Sequence, residues 1–142
     1  MGRRTLLLAA VTTAGLALAV GASGHHSFSA EFDATKVVTI SGTLTQVAWV
    51  NPHVGIVIES LDKKGKVVTW EFDSLPPASL RRGGINKSDF KLGEKVTVTG
   101  YGSKSGKPVG YLRKVTFANN RIVEIGADPS VPDAPNGKVA GQ

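Results

Sequence analysis

Three side chains in this sequence have an evident capacity to hold a transition metal: His25, His26 and His53. Imidazole nitrogen is the commonest protein ligand for such ions and suits copper, zinc and nickel. The chain has no cysteine. Thiolate metal sites, thiol nucleophiles, disulfides and a lipid-bearing N-terminal cysteine are therefore excluded.

What precedes the histidines gives them their chemical interest. Arg3 and Arg4 open a basic segment, and Leu6 to Val20 carries no charge. That stretch is short for a membrane span, which needs about 20 residues. Gly21, Ala22, Ser23 and Gly24 follow as small residues. The three-part pattern over residues 1–24 predicts a cleaved export signal and a periplasmic or secreted protein. No stable membrane insertion is expected after cleavage.

Two bonds fit the cleavage pattern, and they lead to different chemistry. Cleavage after Gly24 frees His25, whose α-amine and ring nitrogen can chelate one ion. His53 would add a third nitrogen, giving a T-shaped histidine brace suited to copper. Cleavage after Ala22 leaves Ser23-Gly24-His25 at the terminus. The amine, two deprotonated amides and the His25 imidazole then form a square-planar site for Cu(II) or Ni(II). Both routes point to copper. His26 is a further candidate ligand.

His53 lies in Trp49-Val50-Asn51-Pro52-His53. Asn51 is biased toward extended backbone by the proline after it. Trp49 and Asn51 are candidates to contact a ligand beside His53. The same residues also suit a plain turn that caps the domain, and both readings stay open. Glu71 and Asp73, two apart on one strand, form a carboxylate pair that binds a cation or is simply solvated charge. Trp70, Phe72 and Phe117 fall at inward strand positions and read as core. The sequence holds no Ser-His-Asp pattern, phosphate-binding glycine loop or HExxH motif, so hydrolysis and phosphoryl transfer have no support. A binding protein is expected rather than an enzyme. Copper-dependent oxidation is the weakest of the readings.

The elements that must position these residues are mostly strands. The chain has 142 residues, 41% hydrophobic and 20% charged, which suits one small domain. Its formal charge of +6 comes from scattered lysines and arginines, with no basic stripe, so no nucleic-acid partner is expected. Residues 25–36 show no period and read as an irregular arm. Val37 to Val50 alternates, with a phase slip at Gln46 that predicts a bulge or bend. Val54 to Ile58 and Val68 to Phe72 are further strands, joined by a turn at Asp62-Lys63-Lys64-Gly65. Ser74 to Arg82 reads as one short helix, capped by Ser74 and ended by Gly83-Gly84. Strands around Val96-Val98 and over Tyr111–Ala118 follow, with a sixth at Ile122–Ile125 after the turn Asn119-Asn120. The order predicts an all-β domain with one short helix: a five-stranded OB-like Greek-key barrel over residues 37–125, with a sixth strand added. Residues 126–142, carrying Pro129, Pro132 and Pro135, read as a disordered tail.

His25-His26-Ser27-Phe28, Glu31-Phe32-Asp33, Ser41-Gly42-Thr43, Trp49-Val50-Asn51-Pro52-His53 and Leu92-Gly93-Glu94-Lys95-Val96 together resemble a family of small exported bacterial proteins. That family is catalogued as a domain of unknown function. The resemblance spans about His25 to Ile125 and implies an exported single domain whose histidines sit inside its recurring motifs. It implies no activity. The functional expectation is thus a periplasmic binding protein holding copper through His25, His26 and His53. The alternative is a non-metal module that recognises a carbohydrate, peptide or protein partner on its barrel face.

Overall fold

A computed structural model describes residues 28–125. The proposed signal at 1–24, His25, His26 and the tail at 126–142 lie outside them. Within this span the chain runs α1 (Phe28–Glu31), β1 (Phe32–Trp49), β2 (Val54–Leu61), β3 (Val67–Asp73), α2 (Pro77–Arg82), a 3-10 turn (Lys87–Asp89), β4 (Lys95–Ser103), β5 (Val109–Phe117) and β6 (Ile122–Glu124).

The strands hydrogen-bond in the order β3-β2-β1-β4-β5-β6, and β3 also pairs with β5. That last pairing is parallel, Glu71 to Val109 through Asp73 to Tyr111, while the others are antiparallel. It closes five strands into the expected OB-like barrel, with β6 continuing along the outer side of β5. Fully buried Leu44, Ile56, Ile58, Phe72, Val98, Leu112 and Val115 fill the interior. Ile56 and Ile58 on β2 are alternate residues, as a period of two requires, whereas Leu112 and Val115 on β5 are three apart because the β4–β5 register slips between Thr99 and Gly100.

β1 is long because it serves both halves of the barrel. Residues Phe32 to Thr43 pair with β4, and Thr43 to Trp49 pair with β2. The register slips between Leu44 and Gln46, which is the bulge anticipated from the phase change. Next to it, Leu44 N–H donates to the Glu94 carbonyl and Gly93 N–H donates to the Leu44 carbonyl. Gly42 stands at the handover. A Cβ there would sit 2.2 Å from the Glu59 carbonyl oxygen, so the residue is glycine because the β2 backbone passes too close.

Three expectations need correction. Residues 28–36 are not an irregular arm: Phe28–Glu31 forms a helical turn, and β1 starts at Phe32 rather than Val37. The reason is a second apolar cluster of Phe28, Phe32, Tyr101 and Tyr111, packed outside the barrel where strand alternation predicts polar residues. Ser74 does not cap α2. Pro76 is the N-cap, and Ser74 is fully buried at the end of β3, with no hydrogen bond to its hydroxyl among the described residues. The 3-10 turn at Lys87–Asp89, closed by Asp89 Oδ2 accepting from Asn86 N–H at 2.7 Å, was not anticipated.

Barrel closure depends on Phe72. Its ring occupies the space that side chains at Gly100 and Gly110 would take. A Cβ on Gly110 would lie 2.6 Å from the Phe72 ring, and one on Gly100 would lie 2.3 Å from the Tyr111 carbonyl oxygen. Overpacking of this kind typically costs about 1–3 kcal/mol. Gly110→Ala should therefore lower the free energy of urea unfolding by an amount in that range. Adding Phe72→Leu should cost less in the Gly110→Ala background than in the wild type, because the smaller side chain vacates the clash. Strict additivity of the two substitutions would refute the contact.

Candidate functional site

His53 sits between β1 and β2, exposed, directly before buried Val54. Val54 N–H donates to the Leu75 carbonyl at 3.0 Å, tying the start of β2 to the segment that leaves β3. The peptide between Asn51 and Pro52 is cis. Asn51 and Pro52 are exposed, as expected of a loop tip. Trp49 is only half-buried, but it packs on the core, with its ring centroid 6.2 Å from that of Phe90. It closes the end of the barrel, so a ligand at this loop would meet its edge.

One residue links this loop to the rest of the surface. Asp73, the last residue of β3, lies opposite Gly55 on one side and Tyr111 on the other. It keeps part of its surface in water, yet its pKa is raised. Packing around the carboxyl is the largest cause. The positive charge of His53 opposes the shift, and the negative charges of Glu31 and Glu71 add to it. His53, Asp73, Glu71 and the α1 residue Glu31 thus share one electrostatic neighbourhood.

Glu31 comes there because of the aromatic cluster. Phe28 is buried, its ring centroid 5.2 Å from Tyr111 and 5.6 Å from Tyr101, both edge-on. Phe32, one helical turn later, packs 5.7 Å from Phe28. Lys104 fastens the turn from the β4–β5 side: its backbone N–H donates to the Glu31 carbonyl at 2.9 Å and its Nζ to the Ser29 carbonyl at 2.6 Å. After the turn, Asp33 Oδ1 accepts from the Thr35 hydroxyl and N–H, which holds its carboxyl below the usual range. The Phe28 and Phe32 signal was present in the sequence as an i, i+4 aromatic pair.

Among the described residues, no group of three or more His, Asp or Glu side chains converges to hold a metal ion. His53 and Asp73 are near one another. Glu71, one row further along β3, faces Val57. Two open clefts of about 550 Å³ each lie elsewhere, one between Ser41, Leu61 and Thr116, the other between α1 and the β4–β5 loop. Neither is lined by His53. Among the described residues, no helix is long and apolar enough to cross a membrane.

Residues 14–113 match the family of unknown function DUF6152. The chain belongs to this family. The match begins within the uncharged N-terminal stretch and ends inside β5, so it covers α1, the His53 loop and the Asp73 end of β3. No curated protein matches the DUF6152 chain. Among solved structures, it is similar to the mitochondrial single-stranded DNA binding protein Rim1 from S. cerevisiae. The TM-score is 0.44 and the identity 10%, with 67% of this chain and 98% of that chain covered.

Asp73 gives a direct check on the electrostatics. A carboxyl whose pKa rises on folding loses stability as pH climbs from its unfolded value through its folded one. Asp73→Asn removes that loss. The substitution should raise the urea midpoint at pH 7 and leave it nearly unchanged near pH 3, where the wild-type carboxyl is protonated in both states. An NMR titration should find Asp73 above the ordinary 3.8. His53→Asn should move it higher still, since the opposing charge is gone. A value at or below 3.8 in the wild type would contradict the packing described.

Proposed function

We propose that this DUF6152 protein is an exported, periplasmic binding protein that holds copper through His53 and the histidines of its processed N-terminus. The observation that supports the reading best is the burial of Phe28 against Tyr101 and Tyr111. Phe28 follows His26 by two residues and His25 by three. Covalent geometry keeps their Cα atoms within about 7 and about 11 Å of Phe28. Tyr111, Asp73 and Gly55 are successive neighbours across the sheet. At a strand spacing of about 4.8 Å, Gly55 lies roughly 10 Å from Tyr111. His53 precedes Gly55 by two residues. An imidazole from the terminus can therefore span the gap to His53.

Charge supports a cationic ligand on this side. Glu59, Glu71 and Asp73 alternate along the outward rows of β2 and β3, with Glu31 beside them. A negative surface concentrates cations and repels a phosphate backbone. The reading involves no reaction step: it is binding, in keeping with the absence of a hydrolytic motif in the sequence.

Mass spectrometry of the secreted protein should find a terminus at His25 or Ser23. Titration with Cu(II) should then show one tight site. With His25 at the terminus, His53→Ala should weaken binding tenfold or more. With Ser23 there, His25→Ala should abolish binding and His53→Ala should have little effect. Tight Cu(II) binding that survives both substitutions together would sink the proposal.

A further inference from the structure

We propose that the tip of the β2–β3 hairpin, Leu61 to Val67, docks on an anionic phospholipid surface. The contact is peripheral: two apolar side chains enter the headgroup boundary while three lysines meet the lipid phosphates. It is independent of the copper reading and uses none of the same residues.

The tip stands clear of the barrel, with every residue from Leu61 to Val67 exposed. Leu61 and Val67 are partners across the β2–β3 ladder, so their side chains lie together on one face. Leu61 is 69% exposed and Val67 55%. The other large apolar side chains left in water are Val37, Val50, Leu92 and Ile122. Val37 pairs with buried Tyr101 and Ile122 with Thr116, while Val50 and Leu92 lie outside the strands. Apolar residues exposed singly are ordinary on a protein surface. Only Leu61 and Val67 form a directly paired apolar couple, and it sits at the outermost rung of a hairpin.

The turn between them is pre-formed and basic. Asp62 N–H donates to the Lys66 carbonyl at 2.9 Å, and Gly65 N–H donates to the Asp62 carbonyl at 3.0 Å. Gly65, at φ 76°, supplies the left-handed residue that closes such a loop. Asp62 Oδ1 accepts from the N–H groups of Lys64 at 2.8 Å and Lys66 at 2.9 Å. The one carboxylate of the tip is thus bonded into its own turn, leaving Lys63, Lys64 and Lys66 as the outward charges. Among the described residues, no hydrogen bond or ion pair holds their ammonium groups. Lysine is a flexible point charge without the bidentate fork of arginine, which suits a diffuse anionic leaflet. The turn carries no aromatic side chain to stack on a base. The carboxylates of the hairpin, Glu59, Glu71 and Asp73, stand two, four and six residues back from the Leu61–Val67 rung. At about 7 Å for every two residues, they recede from a surface met end-on and repel one met side-on. The lysines and the apolar couple therefore select the same approach, tip first.

The test uses the secreted, processed protein in EDTA, with vesicles of phosphatidylcholine alone or with about one-third phosphatidylglycerol. Co-sedimentation should show binding to the anionic vesicles at least tenfold stronger than to the neutral ones, and about 0.5 M salt should reverse it. The triple variant Lys63→Gln/Lys64→Gln/Lys66→Gln should lose that preference. Arg81→Gln/Lys87→Gln/Lys91→Gln, which lowers the net charge equally at another place, should keep it. Leu61→Thr with Val67→Thr should weaken binding tenfold or more, whereas Leu92→Thr should not. Because the chain has no cysteine, Leu61→Cys can carry a single polarity-sensitive dye. Its emission should shift to the blue on anionic vesicles. Circular dichroism melts verify that each variant is folded. Equal losses in the two triple variants would reduce the effect to net charge and overturn the proposal, as would an unshifted dye at position 61. Capture by polyglutamate without any binding to anionic vesicles would replace the lipid surface with an acidic polypeptide and equally overturn it.

Discussion

The parallel contact between β3 and β5 is the constraint on which the rest of this structure depends. Six strands in a row would form an open sheet with two exposed edges. Joining Glu71–Asp73 to Val109–Tyr111 turns five of them into a barrel. Two backbones must approach closely at the place where the Phe72 ring also has to be buried. Gly100 and Gly110 resolve the conflict by offering no side chain. Once the seam is closed, the row Ala48, Gly55, Asp73, Tyr111, Tyr101 runs continuously around the outside. Closure of the barrel places Asp73 between Gly55 and Tyr111.

That outer row explains why the chain begins as it does. A four-residue helical turn cannot sustain itself in water, because nucleation is costly and few bonds repay it. α1 is held by what it covers. Burial of a phenylalanine side chain contributes about 1.5–3 kcal/mol, and each well-placed aromatic pair about 0.5–1.5 kcal/mol more. Phe28 makes three such contacts, with Phe32, Tyr101 and Tyr111. The start of the described chain is thereby pinned beside Asp73. Its two lysine hydrogen bonds from the β4–β5 loop reinforce the same docking.

The barrel surface is divided by charge. Glu59, Glu71 and Asp73 stand on the rows of β2 and β3, whereas Lys95, Arg113 and Lys114 stand on β4 and β5. The net charge hides this division, since it sums over both faces. Arg113 also lies over the Tyr101 ring at 5.8 Å, so part of the basic side is spent in packing.

Strand alternation, the phase slip at Gln46, the hairpin at Asp62–Gly65 and the proline-led helix were all legible in the sequence, because each follows from local periodicity or turn chemistry. So were the barrel class and the place of His53 in the loop between β1 and β2. The early start of β1 was not. Phe28, Phe32, Tyr101 and Tyr111 are far apart along the chain, and they form a core on a face that alternation reserves for polar residues. Asp73 was visible only as one of two carboxylates on a strand. Its neighbourhood with His53 and Glu31 depends on register and on closure, which bring together residues separated by 20 and 42 positions. The sequence by itself determined the element types and the chemistry on offer, since these depend on neighbours within a few residues. Tertiary structure alone decided which of those groups meet, since that depends on pairings whose partners no local pattern can name.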